Sequence, residues 1–236
     1  MGLVGIMCGR FTHNLTWDQI VALYRLTLER LQRSNLQPNY NFCPTDPIPT
    51  VVYRDAEGER ACESMRWGLV PGWWSKSLKE AKLATFNARA ETVESKPFFR
   101  AAWKGKTRCI IPVSGYYEWQ DTPTGKQPWY FTARDGSPIL SIAGLWEVWT
   151  DKENGKPLKS CTMIITEPNK LVAVVHDRMP VLLEPDQFAP WLNGEAGKEI
   201  LRPAREDLLQ RWPVSKRINS SRTPGDDPTL VERVHI

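Results

Sequence analysis

The sequence predicts an α+β protein: a single domain with a β-rich, barrel-like or bifurcated, mostly antiparallel sheet surrounded by short helices. Two observations predict this class. One amphipathic segment near the N terminus is followed by many short extended runs rich in β-branched and aromatic residues. Proline and glycine separate these runs at short intervals, as between strands of an antiparallel sheet. The chain has 236 residues, enough for one such domain with a substantial core.

The first predicted element is a helix that begins after Thr16. Gln19 follows three residues later, which is the spacing of a capping box, and Leu15 and Ile20 are spaced as a hydrophobic staple. Apolar residues then recur on one helical face, so we expect about four turns that end near residues 34–35. The residues of this face are Ile20, Leu23, Tyr24, Leu28 and Leu31.

The strands are predicted from six extended runs after this helix. These runs cover residues 50–54, 65–70, 107–119, 129–133, 139–149 and 161–166. Asp135 and Gly136 predict a hairpin turn between two of them. Short helices are expected after Pro168, Pro185 and Pro203, because proline suits the first turn of a helix.

Composition argues against several classes of protein. The five cysteines contain no Cys-x-x-Cys pair, and three histidines are present, so we expect no zinc finger and no metal site. An odd number of cysteines also argues against a disulfide framework. No apolar run is long enough to span a bilayer, and the first residues lack the basic start of a secretory signal. We therefore expect a cytoplasmic protein without membrane contact.

Charge and aromatic residues concentrate in one segment, although the net charge of the whole chain is a modest +4. Residues 64–110 contain ten Lys/Arg and three Asp/Glu, together with seven aromatic residues. Cations that follow a backbone and rings that stack on bases are typical of a groove for single-stranded nucleic acid. The alternative is a solvated basic face over ordinary core aromatics. Trp73 and Trp74 are adjacent and are not both expected in the core.

Three further places carry polar groups in contexts that favour chemistry. Glu118 ends a long apolar run between aromatic residues, where partial desolvation would raise its pKa and suit it to acid–base work. His176 follows an apolar run and titrates near neutral pH. Asn87, Arg89 and Glu91 share one face of an extended segment, with the intervening alanines on the other face, and Arg89 suits a phosphate. The alternatives are a solvent-facing glutamate, a structural histidine and an Arg–Glu cross-link.

Cys8 directly follows a second methionine, Met7. If translation begins at Met7, loss of this methionine leaves Cys8 as the N-terminal residue, with a free amine and a thiol on adjacent carbons. This pair condenses with an aldehyde to an imine, and the thiol then closes a five-membered thiazolidine ring. We therefore expect residues 1–6 to be a non-native or cleavable extension and residues 7–236 to form the domain.

Six short motifs, in their order along the chain, resemble the SOS-response-associated peptidase (SRAP) family. They are residues 7–11 (Met-Cys-Gly-Arg-Phe), 40–44 (Tyr-Asn-Phe-Cys-Pro), 66–74 (Arg-Trp-Gly-Leu-Val-Pro-Gly-Trp-Trp), 87–92 (Asn-Ala-Arg-Ala-Glu-Thr), 112–119 (Pro-Val-Ser-Gly-Tyr-Tyr-Glu-Trp) and 176–180 (His-Asp-Arg-Met-Pro). Residues 213–215 with Asn219 resemble the closing motif of that family. The resemblance extends from Met7 to near Val234.

The resemblance implies a sensor of abasic sites in single-stranded DNA that traps the sugar aldehyde on a mature N-terminal cysteine. It implies that Cys8 supplies the amine and thiol, that Glu118 and His176 move protons, and that Asn41 helps to hold the N terminus and the lesion. It also implies a self-processing peptidase activity and an abasic-site lyase activity. The DNA contacts implied by motif position are Arg10, Trp73, Trp74, Asn87, Arg89 and Arg178.

Two other functions use the same residues and remain open from the sequence. One is a cysteine peptidase acting on other proteins, with Cys8 as nucleophile and His176 as base. The other is a non-covalent module that binds single-stranded or modified DNA. For the cross-linking function we expect a monomer that needs no cofactor, with abasic single-stranded DNA as its partner. The sequence identifies no protein partner.

Overall fold

The computed structural model describes residues 8–26, 36–53, 58–78 and 84–236. Within these ranges the chain forms twelve strands, four short α-helices and several 3₁₀ turns. The strands are β1 (Phe11–His13), β2 (Asn39–Phe42), β3 (Pro47–Tyr53), β4 (Arg60–Trp67), β5 (Asn87–Arg89), β6 (Arg108–Val113), β7 (Gly115–Thr122), β8 (Gly125–Ala133), β9 (Leu140–Thr150), β10 (Pro157–Thr166), β11 (Met179–Pro180) and β12 (Leu209–Pro213). The helices are α1 (Trp17–Tyr24), α2 (Arg100–Lys104), α3 (Lys170–Ala173) and α4 (Phe188–Leu192).

Five strands close a barrel. Strands β10, β4, β3, β6 and β9 pair in this order, and β9 pairs back with β10. The β4–β10 pair is parallel and the other pairs of the ring are antiparallel. Strand β5 adds to β10 in parallel, and β11 adds to it in antiparallel fashion. Closure leaves these five strands without a free edge.

A second, five-stranded antiparallel sheet packs on the barrel in the order β12-β8-β7-β1-β2. Ser114 alone separates β6 of the barrel from β7 of the sheet. Tyr116 and Phe131 of the sheet share one apolar cluster with Ile111 and Met163 of the barrel. Tyr117 of β7 belongs to another cluster on the opposite face. The predicted α+β, barrel-like and mostly antiparallel class is therefore confirmed, and one face of β7 points at the barrel.

The predicted capping box of the first helix is confirmed, but the predicted length of that helix is wrong. The Thr16 hydroxyl accepts a bond from the Gln19 N–H, and the Gln19 side chain accepts one from the Thr16 N–H. Helix α1 ends at Tyr24, because Arg25 takes a left-handed conformation (φ 51°). Apolar periodicity carries no signal for such a residue. Leu28, Leu31 and residues 34–35 lie outside the described ranges.

Three other predictions about the elements need correction. The run 107–119 is two strands, because the chain passes from barrel to sheet at Ser114. The turn at Asp135 and Gly136 makes no hairpin, since β8 before it pairs in the sheet and β9 after it pairs in the barrel. A turn, not a helix, follows Pro203. The other two predicted short helices are present as α3 and as the 3₁₀ turn Pro185–Gln187.

None of the helices in the described ranges combines the length and the apolar character that a membrane crossing requires.

Candidate active site

The candidate site, which we call the pocket, is the buried region around Cys8 and Glu118, two residues that are 110 positions apart in the chain. Strand β7 directs the Glu118 side chain towards the barrel, where it is fully buried, and Cys8 is only 2% exposed. The main-chain N–H of Cys8 donates a hydrogen bond to Glu118 Oε1 at 2.9 Å. Glu118 Oε2 is buried without a hydrogen-bond partner among the described residues. The structure therefore joins the two residues through the nitrogen of Cys8.

Burial controls the protonation of both groups. It raises the pKa of Glu118 to about 8, with a further rise from the Asp177 carboxylate and an opposing effect of the bonds from Cys8. Burial also raises the pKa of the Cys8 thiol, and the neighbouring Glu118 raises it further. At neutral pH the pocket therefore holds a protonated thiol beside a carboxyl group that can give a proton.

Two predicted asparagines lie on different sides of Cys8. The Asn87 side-chain N–H, at the start of β5, donates to the Cys8 carbonyl at 3.5 Å. Asn41 on β2 belongs to a separate network: its Oδ1 accepts from Arg10 Nη1 at 2.6 Å, and its Nδ2 donates to the Thr223 carbonyl at 2.6 Å. Asn41 therefore binds both the C-terminal segment and Arg10, which lies two positions after Cys8 in the chain.

Arg10 joins this network to the end of the chain. Its Nη1 also donates to the Ile218 carbonyl at 2.9 Å, in the 3₁₀ turn Lys216–Asn219. The Trp119 indole N–H donates to Asn219 Oδ1 of the same turn at 2.7 Å. The C-terminal segment is therefore held against the sheet by residues that flank Cys8 and Glu118 in sequence.

His176 lies in the loop after α3 and directly precedes Asp177, whose charge acts on Cys8 and Glu118. Its Nδ1 accepts a hydrogen bond from the Arg178 N–H at 3.2 Å and lies 3.1 Å from Asp177 Oδ1. Burial lowers the pKa of His176, and Asp177 opposes this effect. Gln120 of β7 donates to the Val174 carbonyl at 3.0 Å and thereby ties the loop to the strand that carries Glu118.

The two predicted phosphate contacts after β5 have different surroundings. Arg89 is exposed, whereas Ala88 and Ala90 beside it are buried, as the predicted alternation requires. Arg178 forms an ion pair with Glu91. Arg178 also lowers the pKa of Cys8, which places its charge near the pocket. The cross-link considered for Arg89 and Glu91 is therefore made by Arg178.

Trp73 and Trp74 lie in the turn region after β4 and form a cluster with Phe98. The Trp73 and Phe98 ring centroids are 5.6 Å apart, and Trp73 is 53% exposed. Strand β9 anchors this aromatic cluster: Trp149 Nε1 donates to the Trp74 carbonyl at 2.7 Å, and Glu147 accepts from the Gly72 N–H at 2.7 Å. The cluster presents an apolar ring face to solvent on a fixed main chain.

The rest of the basic aromatic segment divides between surface and core. Trp67 is fully buried and Phe99 nearly so. The Arg108 guanidinium lies 3.7 Å from the Trp103 ring and 4.6 Å from the Trp191 ring, and Arg108 is itself buried. The alternative of ordinary core aromatics thus holds for part of the segment, while Trp73 remains at the surface.

Sequence reasoning missed three residues around the pocket. Gln120 holds the His176 loop, and Asp177 raises the pKa of Glu118. Tyr116 lies two residues before Glu118 and is buried on the same face of β7. The even spacing of Tyr116, Glu118 and Gln120 on a strand was the available signal, since alternate residues share a face.

Within the described ranges, no three His, Cys, Asp or Glu side chains gather as a group that could hold a metal ion.

The fold is shared with solved structures. A crystal structure of a protein from Bacteroides thetaiotaomicron matches 97% of this chain and 100% of its own, with a TM-score of 0.84 and 26% sequence identity. A protein from Bordetella bronchiseptica matches 88% of this chain and all of its own, with a TM-score of 0.77 and 26% identity. The barrel with its attached sheet is therefore an established fold.

The sequence comparisons then identify the family. The model of the SOS response associated peptidase (SRAP) family matches residues 7–221. The abasic site processing protein YoqW of Bacillus subtilis is 36% identical, over 96% of this chain and 99% of its own. The abasic site processing protein HMCES of Xenopus tropicalis is 32% identical, over 79% of this chain and 64% of its own. The chain belongs to the SRAP family.

Proposed function

We propose that this protein processes abasic sites in single-stranded DNA by forming a covalent thiazolidine cross-link through Cys8. The observation that carries the proposal is the 2.9 Å bond between the Cys8 nitrogen and Glu118. In a chain that begins at Cys8, this nitrogen is the α-amine. The names of the related proteins support an abasic site as the substrate.

The first step joins the amine to the ring-opened sugar. The neutral Cys8 amine attacks the aldehyde carbon, the electron pair of the C=O bond moves to oxygen, and one proton of the amine moves to that oxygen, giving a neutral carbinolamine. Glu118 then donates its proton to the hydroxyl group, the C–O bond breaks, water leaves and a protonated imine (C=N–H⁺) forms beside the Glu118 carboxylate. A free α-amine has a pKa of about 7.7–8.0, so a neutral fraction is present at physiological pH. Glu118, with its pKa near 8, still holds its proton there.

The second step closes the ring. The Glu118 carboxylate takes the proton of the Cys8 thiol as the sulfur adds to the imine carbon; a C–S bond forms, the electron pair of the C=N bond moves to nitrogen, and Glu118 is protonated again. The overall reaction consumes one amine, one thiol and one aldehyde and releases one water. The protonated state of the buried thiol suits this order, because thiolate is not needed until the imine has formed.

The remaining predicted residues would bind the strand and move protons. His176 is neutral, and Gln120 of β7 holds the loop that carries it. His176 would assist opening of the sugar ring and the reverse reaction. Arg10, Arg89 and Arg178 would contact phosphates. Trp73 and Trp74 would stack on unpaired bases, which restricts the substrate to single strands.

The peptidase activity proposed with this function is removal of the residues ahead of Cys8. In this hydrolysis water adds to the carbonyl carbon that precedes Cys8, and the amide nitrogen, which is hydrogen-bonded to Glu118, accepts the Glu118 proton as the C–N bond breaks. Cys8 also holds a left-handed φ of 43°, a strained conformation for a residue with a side chain. Cleavage releases this strain, because a free N terminus has no φ angle. A lyase side reaction would begin from the imine.

The surroundings of Cys8 do not favour a general cysteine peptidase. Such a nucleophile needs a thiolate in an electropositive pocket. Here a buried carboxyl group lies beside the thiol and raises its pKa. The structure therefore favours amine chemistry, with the thiol acting second.

The test uses protein that begins at Cys8, verified by intact mass, and an oligonucleotide with one abasic site. We expect a band on a denaturing gel that survives heat and detergent, and none with a tetrahydrofuran analogue that has no aldehyde. A salt-sensitive complex that leaves no covalent band would contradict the proposal and indicate a binding module. Peptide turnover without the band would indicate a general peptidase.

A further inference from the structure

The hydroxyl group of Tyr116 is buried but forms no hydrogen bond within the described part of the chain. Its ring stacks on Phe131, with centroids 5.0 Å apart and planes at 9°, and the residue is 2% exposed. The hydroxyl has no hydrogen-bond partner among the described residues. A buried hydroxyl without a partner lowers stability relative to a phenyl ring of the same shape. The fold alone therefore gives no reason for tyrosine at this position.

Neighbouring tyrosines show what a structural hydroxyl does in this sheet. Tyr117, the next residue on β7, donates to the Tyr40 carbonyl at 2.9 Å. Tyr130 on β8 pairs with the Thr12 hydroxyl at 2.8 Å. Both hydroxyls lock segments of the sheet together. Only the tyrosine on the pocket face of β7, among these three, lacks such a partner.

Glu118, on the same face of β7 as Tyr116, also carries a buried atom without a hydrogen-bond partner among the described residues. Tyr116 and Glu118 leave the same face of β7, because they are two residues apart. Glu118 Oε1 is occupied by the Cys8 nitrogen, whereas Oε2 has no partner within the described part of the chain. The charges that act on Tyr116 are those of Cys8 and Glu118. Two buried polar side chains therefore share the face of β7 on which Glu118 binds the nitrogen that would become the amine.

We infer that Tyr116 is a further catalytic residue, whose hydroxyl donates a hydrogen bond to the aldehyde oxygen of the open-chain sugar. This inference rests on the proposed cross-linking function. As the amine attacks, the C–N bond forms and negative charge develops on that oxygen. The phenol stabilises this charge and keeps its own proton. Glu118 acts later: it protonates the hydroxyl group of the carbinolamine, which then leaves as water. The two groups therefore have separate roles, hydrogen-bond donor and acid.

The protonation state of Tyr116 suits a donor. Burial raises its pKa well above the ordinary value, and the nearby Cys8 and Glu118 raise it further. The phenol therefore stays neutral across the pH range in which the amine and Glu118 titrate.

The test is Tyr116→Phe, with Tyr117→Phe as the matched control on the same strand. Both proteins begin at Cys8 and are mixed with saturating abasic oligonucleotide, and the rate of adduct formation and the thermal midpoint are measured. For Tyr116→Phe we expect a rate about 100- to 1,000-fold lower, as for loss of one donor to a developing oxyanion. Its DNA affinity should be unchanged and its midpoint equal or higher. Tyr117→Phe should show a lower midpoint and an unchanged rate.

Borohydride trapping of the imine locates the affected step. The inference predicts that Tyr116→Phe slows the appearance of the trapped imine as much as that of the final adduct. A wild-type rate for Tyr116→Phe overturns the inference, and so does a slow rate confined to ring closure after normal imine formation. If wild-type protein itself forms no adduct, the proposed function fails, and the two failures are thus distinguishable.

Discussion

The Cys8 pocket and the Trp73–Trp74 cluster differ in almost every physical respect. The pocket is closed to solvent: Cys8 is 2% exposed and Glu118 is fully buried, and neither Glu118 Oε2 nor the Tyr116 hydroxyl has a hydrogen-bond partner among the described residues. The aromatic cluster is open, with Trp73 53% exposed, and its main chain is satisfied by β9. Unsatisfied polar atoms in a closed space suit bond making, whereas exposed rings on a fixed backbone suit binding. Substitutions in the two regions should therefore change different measured quantities.

Cys8→Ser should have the largest effect. The N-terminal amine remains, but the thiol that closes the ring is lost, so we expect no adduct that survives denaturation. An imine should still form and should be captured by borohydride, and DNA affinity should be unchanged. Cys43→Ser is the control, because Cys43 is also near the Asn41 network but carries no amine. Equal loss in both variants would contradict the assignment to Cys8.

Glu118→Gln should slow adduct formation by about 100-fold, the typical contribution of a positioned acid. The wild-type rate should fall on both sides of a maximum: at low pH the amine is protonated, and above pH about 8 Glu118 has lost its proton. Glutamine does not titrate, so the decline at high pH should disappear in the variant. A rate profile for Glu118→Gln with the same alkaline limb would assign that limb to another group.

Trp73→Ala should act on binding. Stacking of a base on an aromatic ring contributes about 1–3 kcal/mol, so we expect roughly 5- to 150-fold weaker binding of single-stranded DNA by fluorescence anisotropy. The adduct rate at saturating DNA should be unchanged. Trp103→Phe provides the contrast within the same basic segment, because Trp103 packs against Arg108 and Trp191. It should lower the thermal midpoint and leave affinity unchanged.

Arg89→Ala should have the smallest effect. Arg89 is an exposed cation at the end of β5, beside the strand position of Asn87. If it neutralises one phosphate, its loss should weaken binding several-fold and reduce the slope of log affinity against log salt by about 1. The slope is measured between low and physiological salt. An unchanged slope would show that Arg89 does not contact a DNA phosphate.

The sequence indicated several residues that lie around Cys8, but not how they are arranged. Cys8, Glu118 and Asn87 were candidates from their motifs, and the structure joins them through the nitrogen and the carbonyl of Cys8. The role of Arg10 and Asn41 in holding the C-terminal segment could not be predicted, because Ile218 and Thr223 are some 200 residues away in sequence and accept these bonds only through main-chain carbonyls.

The same limit explains the errors in the fold. Periodicity identifies the strands but not their partners, so the turn at Asp135 and Gly136 was assigned to a hairpin although β8 and β9 lie in different layers. Composition likewise cannot separate Trp73 from Trp103, since both stand among cations. The two tryptophans differ in burial, because Trp103 packs against Trp191, which α4 contributes from a distant part of the chain.

The central claim is that the nitrogen of Cys8, freed and beside Glu118, makes the cross-link. The most direct measurement is peptide mass spectrometry of the adduct from two proteins, one beginning at Cys8 and one that verifiably retains residues 1–7. We predict that the first carries the DNA fragment on Cys8 with loss of one water and that its Cys8 thiol no longer reacts with an alkylating agent. The second should carry no adduct. An adduct on a lysine or on Cys43, or equal adduct in both proteins, would contradict the account.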